Sequence, residues 1–173
     1  STAKEVKKII HELNYNLQSL TVNPKNFINE IKKYDADICF NALHGTFGED
    51  GKVQKILLEN KIKFTHSGVR ASRIAFNKHL TKKAIEKTGI FFPKSFLFNK
   101  SRLSEKMFKS FYEKNGSFVL KPVSSGSSYG VQVIKSLNDI KLLFNEEFEK
   151  KNLYKNHDLL IVEPYIEGKE LTV

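Results

Sequence analysis

Two apolar runs, FVL at Phe118–Leu120 and VQVI at Val131–Ile134, flank the stretch KPVSSGSSYG. Tight hairpins turn in roughly two to five residues, so a longer connection made mostly of Ser and Gly needs its own explanation. Small side chains let a bulky group approach, and successive backbone N–H groups can wrap an anion. Gly126 and Gly130 are the positions expected to take positive φ, which residues with a Cβ resist. Lys121, at the end of the first run, brings a full positive charge to the same place. The local residues fit equally a surface hairpin with a solvated lysine.

The rest of the chain brackets this hairpin with alternating elements. TAKEVKKIIHELNYN carries Val6, Ile9, Ile10 and Leu13 at helical spacing. LQSLTV reads as a short strand, and Pro24 opens a helix containing Phe27, Ile28 and Ile31. DICFNAL reads as a buried strand stopping at His44-Gly45, VQKILLENK as a helix, and IKFTHSG as another strand. ASRIAFNKHLTKKAIEKTG reads as one long helix ending at Gly89, a suitable left-handed cap. This alternation predicts an α/β unit with a mostly parallel sheet. After IFFP the pattern changes to strand SFLF, a helix near Ser104–Lys114, the hairpin, a helix over Leu137–Lys150 and strand LLIVEPY. Two domains are expected, residues 1–93 and 94–173, divided at Pro93.

Composition narrows the function classes. A hydrophobic share of 40% and a charged share of 28% suit a soluble globular protein. No apolar run approaches the roughly 20 residues of a membrane span. A single cysteine, Cys39, excludes a disulfide framework and fits a reducing compartment. The net charge of +10 is almost all Lys, scattered along the chain, with only Arg70, Arg73 and Arg102. Base-edge and phosphate-fork recognition favours clustered Arg, so a nucleic-acid module is the lesser reading and solvated lysines the preferred one.

Three further clusters carry chemistry. In IVEPYIEGKE, the residues by themselves favour a strand end with solvated acids, yet Glu163 ends an apolar run whose continuation can offer backbone donors and acceptors to a nucleobase, and Glu170 is an acceptor suited to a ribose diol. In NALHGTFGEDG, His44 stands at the end of a strand, where α/β sheets bind ligands, although a histidine there is more often structural. In FNKHLTK, Lys78 and Lys82 share a helix face, a spacing that ordinarily means solvent exposure.

Taken in order, ALHGTFGEDGKVQ, HSGVRASRIAFNKHLTK, VLKPVSSGSSYGV and IVEPYIEGKELTV closely resemble the D-alanine–D-alanine ligases of the ATP-grasp superfamily. The resemblance covers essentially the whole chain. It implies an incomplete parallel-sheet domain preceding the ATP-grasp fold, followed by the first α+β subdomain of that fold. The implied activity is ATP-dependent joining of two D-alanines through an acyl phosphate, for peptidoglycan synthesis in the bacterial cytoplasm. An acceptor other than D-alanine, such as D-lactate, is the alternative.

By this matching, Lys78 and Lys121 contact the ATP phosphates, while Gly126, Ser127 and Ser128 form the loop over them. Ser127 also orients the first D-alanine, and His44 lies beside that substrate. Glu163, Tyr165 and Ile166 match the adenine-binding linker, and Glu170 the ribose-binding acid. The chain departs from the pattern at Ser125, where the family usually has Glu, at Asn77, usually Asp, and at His66, often Gly. The same resemblance places the first strand before Ser1, and the Mg²⁺ or Mn²⁺ ligands and mobile substrate loop after Val173. No metal ligand is therefore expected within these residues, and the segment alone is expected to be inactive. A homodimer is implied, with neither nucleic acid nor membrane as partner.

Overall fold

The computed structural model describes residues 2–145, 153–169 and 171. The chain is mixed α/β and forms two compact units, Ser1–Arg73 and Ile74–Val173. The division falls earlier than Pro93 because the segment after Arg73 is tied to the second unit. The Lys78 amide donates to the Val123 carbonyl at 2.9 Å, and Asn77 forms an antiparallel bridge with Ser124.

In the first unit, helix α1 (Thr2–Glu12) buries no residue fully. Helix α2 (Phe27–Ile31) and helix α3 (Lys52–Glu59) supply the core. Phe27, Ile31, Val53 and Leu57 are buried together, with Leu20, Cys39, Leu43 and Phe64 packed around them. The expected parallel sheet is reduced to one parallel bridge between Cys39 and Phe64. The Cys39 amide donates to the Lys63 carbonyl at 2.8 Å, and the Thr65 amide donates to the Cys39 carbonyl at 3.2 Å. Among the described residues, 17–22 show no strand pairing and form no strand. An extended segment becomes a strand only through a neighbour's ladder, and apolar patterning alone does not supply one.

The single long helix expected over 71–89 is two helices, α4 (Val69–Phe76) and α5 (Lys78–Ile85). Asn77 breaks it with extended torsions, φ −105° and ψ 105°, and its side chain accepts the Leu80 amide as an N-cap. The chain then turns at Gly89, where φ is +80°.

The second unit is a four-stranded antiparallel sheet: β1 (Phe96–Asn99), β2 (Phe118–Pro122), β3 (Gln132–Ile134) and β4 (Leu159–Pro164). Their order is β1-β4-β2-β3. One face packs on helix α6 (Glu105–Asn115), capped by Ser104, and helix α7 (Leu137–Leu143), capped by Ser136. The helix expected to reach Lys150 ends at Leu143, and residues 146–150 lie outside the described ones.

Strand alternation decides what each face carries. Phe118 and Leu120 are buried from β2, with Leu160 and Val162 from β4 and Phe108 from α6. The Phe118 ring meets those of Phe108 and Phe111 at 5.5 and 5.2 Å. Val119 and Lys121 lie on the opposite face. Val119 pairs with Glu163 and Lys121 with Ile161, so Lys121 and Glu163 are diagonal neighbours on one face.

Candidate functional site

The face of the sheet turned away from α6 and α7 carries a cavity of about 410 Å³. Lys78, Lys121, Ser125, Ser128, Glu163 and Tyr165 are among its lining residues. Lys78 arrives from the first turn of α5, Lys121 from the end of β2, and Glu163 from β4. The hairpin between β2 and β3 closes one side.

That hairpin is internally braced. The Ser125 hydroxyl donates to the Tyr129 carbonyl at 2.8 Å, and the Tyr129 amide donates to the Gly126 carbonyl at 3.1 Å. The buried Tyr154 hydroxyl donates to the Gly130 carbonyl at 2.9 Å. Burial pushes the Tyr154 phenol well above its ordinary value, so it remains a donor. Gly130 takes positive φ, +71°, as expected, whereas Gly126 does not. Ser127 and Ser128 take it instead, at +50° and +56°. Two successive non-glycine residues in the left-handed region are strained. Among the described residues, the amides of Gly126, Ser127 and Ser128 have no protein acceptor.

The electrostatics centre on Glu163, whose side chain is only 6% exposed. Lys121 Nζ lies 2.6 Å from its Oε2, and Lys82 Nζ lies 2.5 Å from its Oε1. Burial alone would favour the neutral acid, but hydrogen bonds from Lys121 and Lys82 outweigh it and hold the carboxyl below its ordinary pKa. Lys78 differs in kind. Its ammonium donates to the Ser125 carbonyl at 2.9 Å, with no carboxylate in salt-bridge contact among the described residues. Burial and the nearby Lys121 charge press its pKa below the ordinary lysine value, partly countered by Glu163.

Lys82 is the residue that its spacing concealed. Rather than facing solvent, its side chain is 15% exposed and bonds both Glu163 and the Pro93 carbonyl, the latter at 2.6 Å. Its ammonium also lies 5.5 Å from the Phe92 ring centroid. Among the remaining candidates, Tyr165 and Ile166 border the cavity, Gly126 and Ser127 belong to the hairpin, and Glu170 lies outside the described residues. Lys135 sits 4.4 Å above the Tyr165 ring.

His44 belongs to the first unit, on a loop with its own internal order. The imidazole is largely exposed, with Nδ1 3.7 Å from the Glu49 carboxylate. Gln54 and Asn41 both donate to the Gly48 carbonyl, at 2.9 and 2.8 Å, and Glu49 accepts the Gly45 amide at 2.7 Å. The HGTFGEDGKVQ spacing is thus explained locally: Gln54, in the first turn of α3, reaches back to fasten the loop that presents His44.

No family model matches the chain. It is, however, 37% identical over 180 residues to a D-alanine–D-alanine ligase of Wolbachia from Brugia malayi, covering 98% of this chain and 52% of that protein. The D-alanine–D-alanine ligase structure of Bacillus anthracis aligns with a TM-score of 0.76 at 28% identity, over 96% of this chain and 52% of that one. Over nearly its whole length the chain is similar to D-alanine–D-alanine ligases. It spans about half the length of the curated relatives it matches. The same Bacillus anthracis ligase complexed with ATP aligns at a TM-score of 0.69 and 26% identity, covering 91% of this chain and 50% of that one.

Proposed function

We propose that these residues carry the nucleotide site and first-substrate loop of an enzyme that ligates two D-alanines at the expense of ATP, for peptidoglycan synthesis. The observation that carries the reading is the convergence of Lys78, Lys121 and the strained Ser127-Ser128 turn on one cavity. Phosphates are polyanions, and two ammonium groups with unpaired amides nearby form a complementary wall. Lys78 and Lys121 hold the phosphates, with the amides of Gly126, Ser127 and Ser128 above them. Adenine lies against the end of β4, where the Ile166 amide donates to no protein group among the described residues. Tyr165 supplies an apolar wall, and Glu170 takes the ribose.

The chemistry has two steps. A D-alanine carboxylate oxygen attacks the γ-phosphorus and ADP leaves, giving an acyl phosphate. The second amine then attacks the acyl carbon, loses a proton, and inorganic phosphate departs. Both steps bring anions together, which the lysines make possible. Water must be kept out, or the acyl phosphate hydrolyses. His44 stands beside the first D-alanine, and Ser127 orients its carboxylate. The family resemblance implies Mg²⁺ or Mn²⁺, but the donors present do not fit one. Glu163 already engages two ammonium groups, and the described residues contain no cluster of three or more His, Cys, Asp or Glu side chains suited to a metal.

The same reading makes the protein a homodimer in the bacterial cytoplasm; no helix among the described residues is long and apolar enough to cross a membrane. Phosphate release by the full-length protein, with ATP and either D-alanine or D-lactate, tests the reaction. D-alanine-dependent release of one phosphate per dipeptide is expected. Preference for D-lactate at neutral pH would contradict the dipeptide assignment.

A further inference from the structure

We infer that Lys82 is a positioning residue that keeps Lys121 electrostatically available to an anion. The inference rests on the proposed nucleotide reading and adds a function for a side chain outside the phosphate-contacting set. Glu163 is buried and ionised, and it lies against Lys121. With that contact alone, carboxylate and ammonium would cancel, leaving Lys78 as the only uncompensated cation of the group. Lys82 changes the balance by taking the second carboxylate oxygen. Three ammonium groups then face one carboxylate, so the cluster carries two net positive charges. Lys82 itself is absent from the cavity lining. Its head group also donates to the Pro93 carbonyl. It therefore acts on a ligand through Glu163 and Lys121 rather than by touching it.

This arrangement also fixes geometry. Two opposed ammonium groups hold the Glu163 carboxylate between α5 and β2, so Lys121 is steered by a carboxylate that cannot rotate freely. Methionine at position 82 would fill similar volume, remove the charge and let Glu163 draw Lys121 fully into a one-to-one pair. Arginine would keep the charge.

The test uses the full-length protein and calorimetric titration with ATP and, separately, inorganic tripolyphosphate, which isolates the phosphate site from adenine recognition. Lys82→Met is expected to weaken both ligands roughly tenfold, equivalent to one charge-assisted contact, while Lys82→Arg retains most of the affinity. The double variant Lys82→Met/Glu163→Gln removes the carboxylate that captures Lys121, and it is expected to recover tripolyphosphate affinity to near wild type. A simple packing role for Lys82 predicts no such rescue. Unchanged affinity in Lys82→Met, or a double variant no better than the single one, would overturn the inference. Wild-type protein that binds neither ligand, or Lys78→Met and Lys121→Met variants that bind both normally, would instead overturn the nucleotide reading itself.

Discussion

The ammonium of Lys78 caps the Ser125 carbonyl at 2.9 Å, joining the first turn of α5 to the base of the β2–β3 hairpin. A lysine half-buried beside a second lysine is a poor stabiliser of the fold. Its placement makes sense when an anion is the intended partner.

Lys78→Met should therefore separate stability from binding. Burial and the Lys121 charge disfavour the charged amine, so at neutral pH Lys78 is a cost to folding. That cost eases as pH rises toward 10.5, because the unfolded chain then binds the extra proton. The variant is expected to keep or raise Tm without ligand, yet to lose affinity for ATP by roughly ten- to a hundredfold. Differential scanning calorimetry and a nucleotide titration check the two halves.

Glu163 has the opposite sign. Its folded-state pKa lies below the ordinary 4.5 because Lys121 and Lys82 outweigh its burial. The stability this contributes is present above 4.5 and is lost as pH falls through the depressed folded value. Wild-type Tm should fall on acidification across that window. Glu163→Gln should be less stable at neutral pH and should flatten this acid limb. Parallel curves for both proteins would contradict the assignment.

Gly130→Ala tests the hairpin's exit. The added Cβ would meet Pro122 Cγ at 2.9 Å and Tyr154 Cε1 at 3.2 Å, at a φ of +71°. A loss of about 1–3 kcal/mol is expected from the denaturant midpoint, together with weakened ATP binding as the loop shifts.

Gly48→Ala probes the loop of the first unit. A Cβ there would stand 2.4 Å from Leu43 Cβ and 3.0 Å from the Leu43 carbonyl carbon. Relieving this moves the carbonyl that Gln54 and Asn41 both hold. Thermal unfolding should register a loss of about 2 kcal/mol, and the KM for D-alanine should rise more than that for ATP. An effect confined to ATP would argue against His44 beside the amino acid.

Legibility in the sequence followed locality. The β2–β3 hairpin, the helix near Ser104 and strand β4 are readable because turn chemistry and apolar patterning are short-range signals. Asn77 was readable in principle, since a capping residue precedes Leu80 by three positions, but the apolar period running through it masked the break. The first unit's extended segments form only the Cys39–Phe64 bridge, because a ladder depends on a partner segment that local patterning does not specify. Lys82 was hidden for a related reason: whether a lysine on a helix meets water or a buried carboxylate is decided by Glu163, far along the chain. The left-handed turn at Ser127-Ser128 was assigned to Gly126 because strain at non-glycine residues leaves no mark in composition.

The most direct measurement is a crystal structure of the full-length protein with a non-hydrolysable ATP analogue. Phosphate oxygens are expected within roughly 3 Å of Lys78 Nζ, Lys121 Nζ and the Gly126–Ser128 amides. A nucleotide bound elsewhere, with Lys78 still capping Ser125 and Lys121 still committed to Glu163 alone, would contradict the central claim.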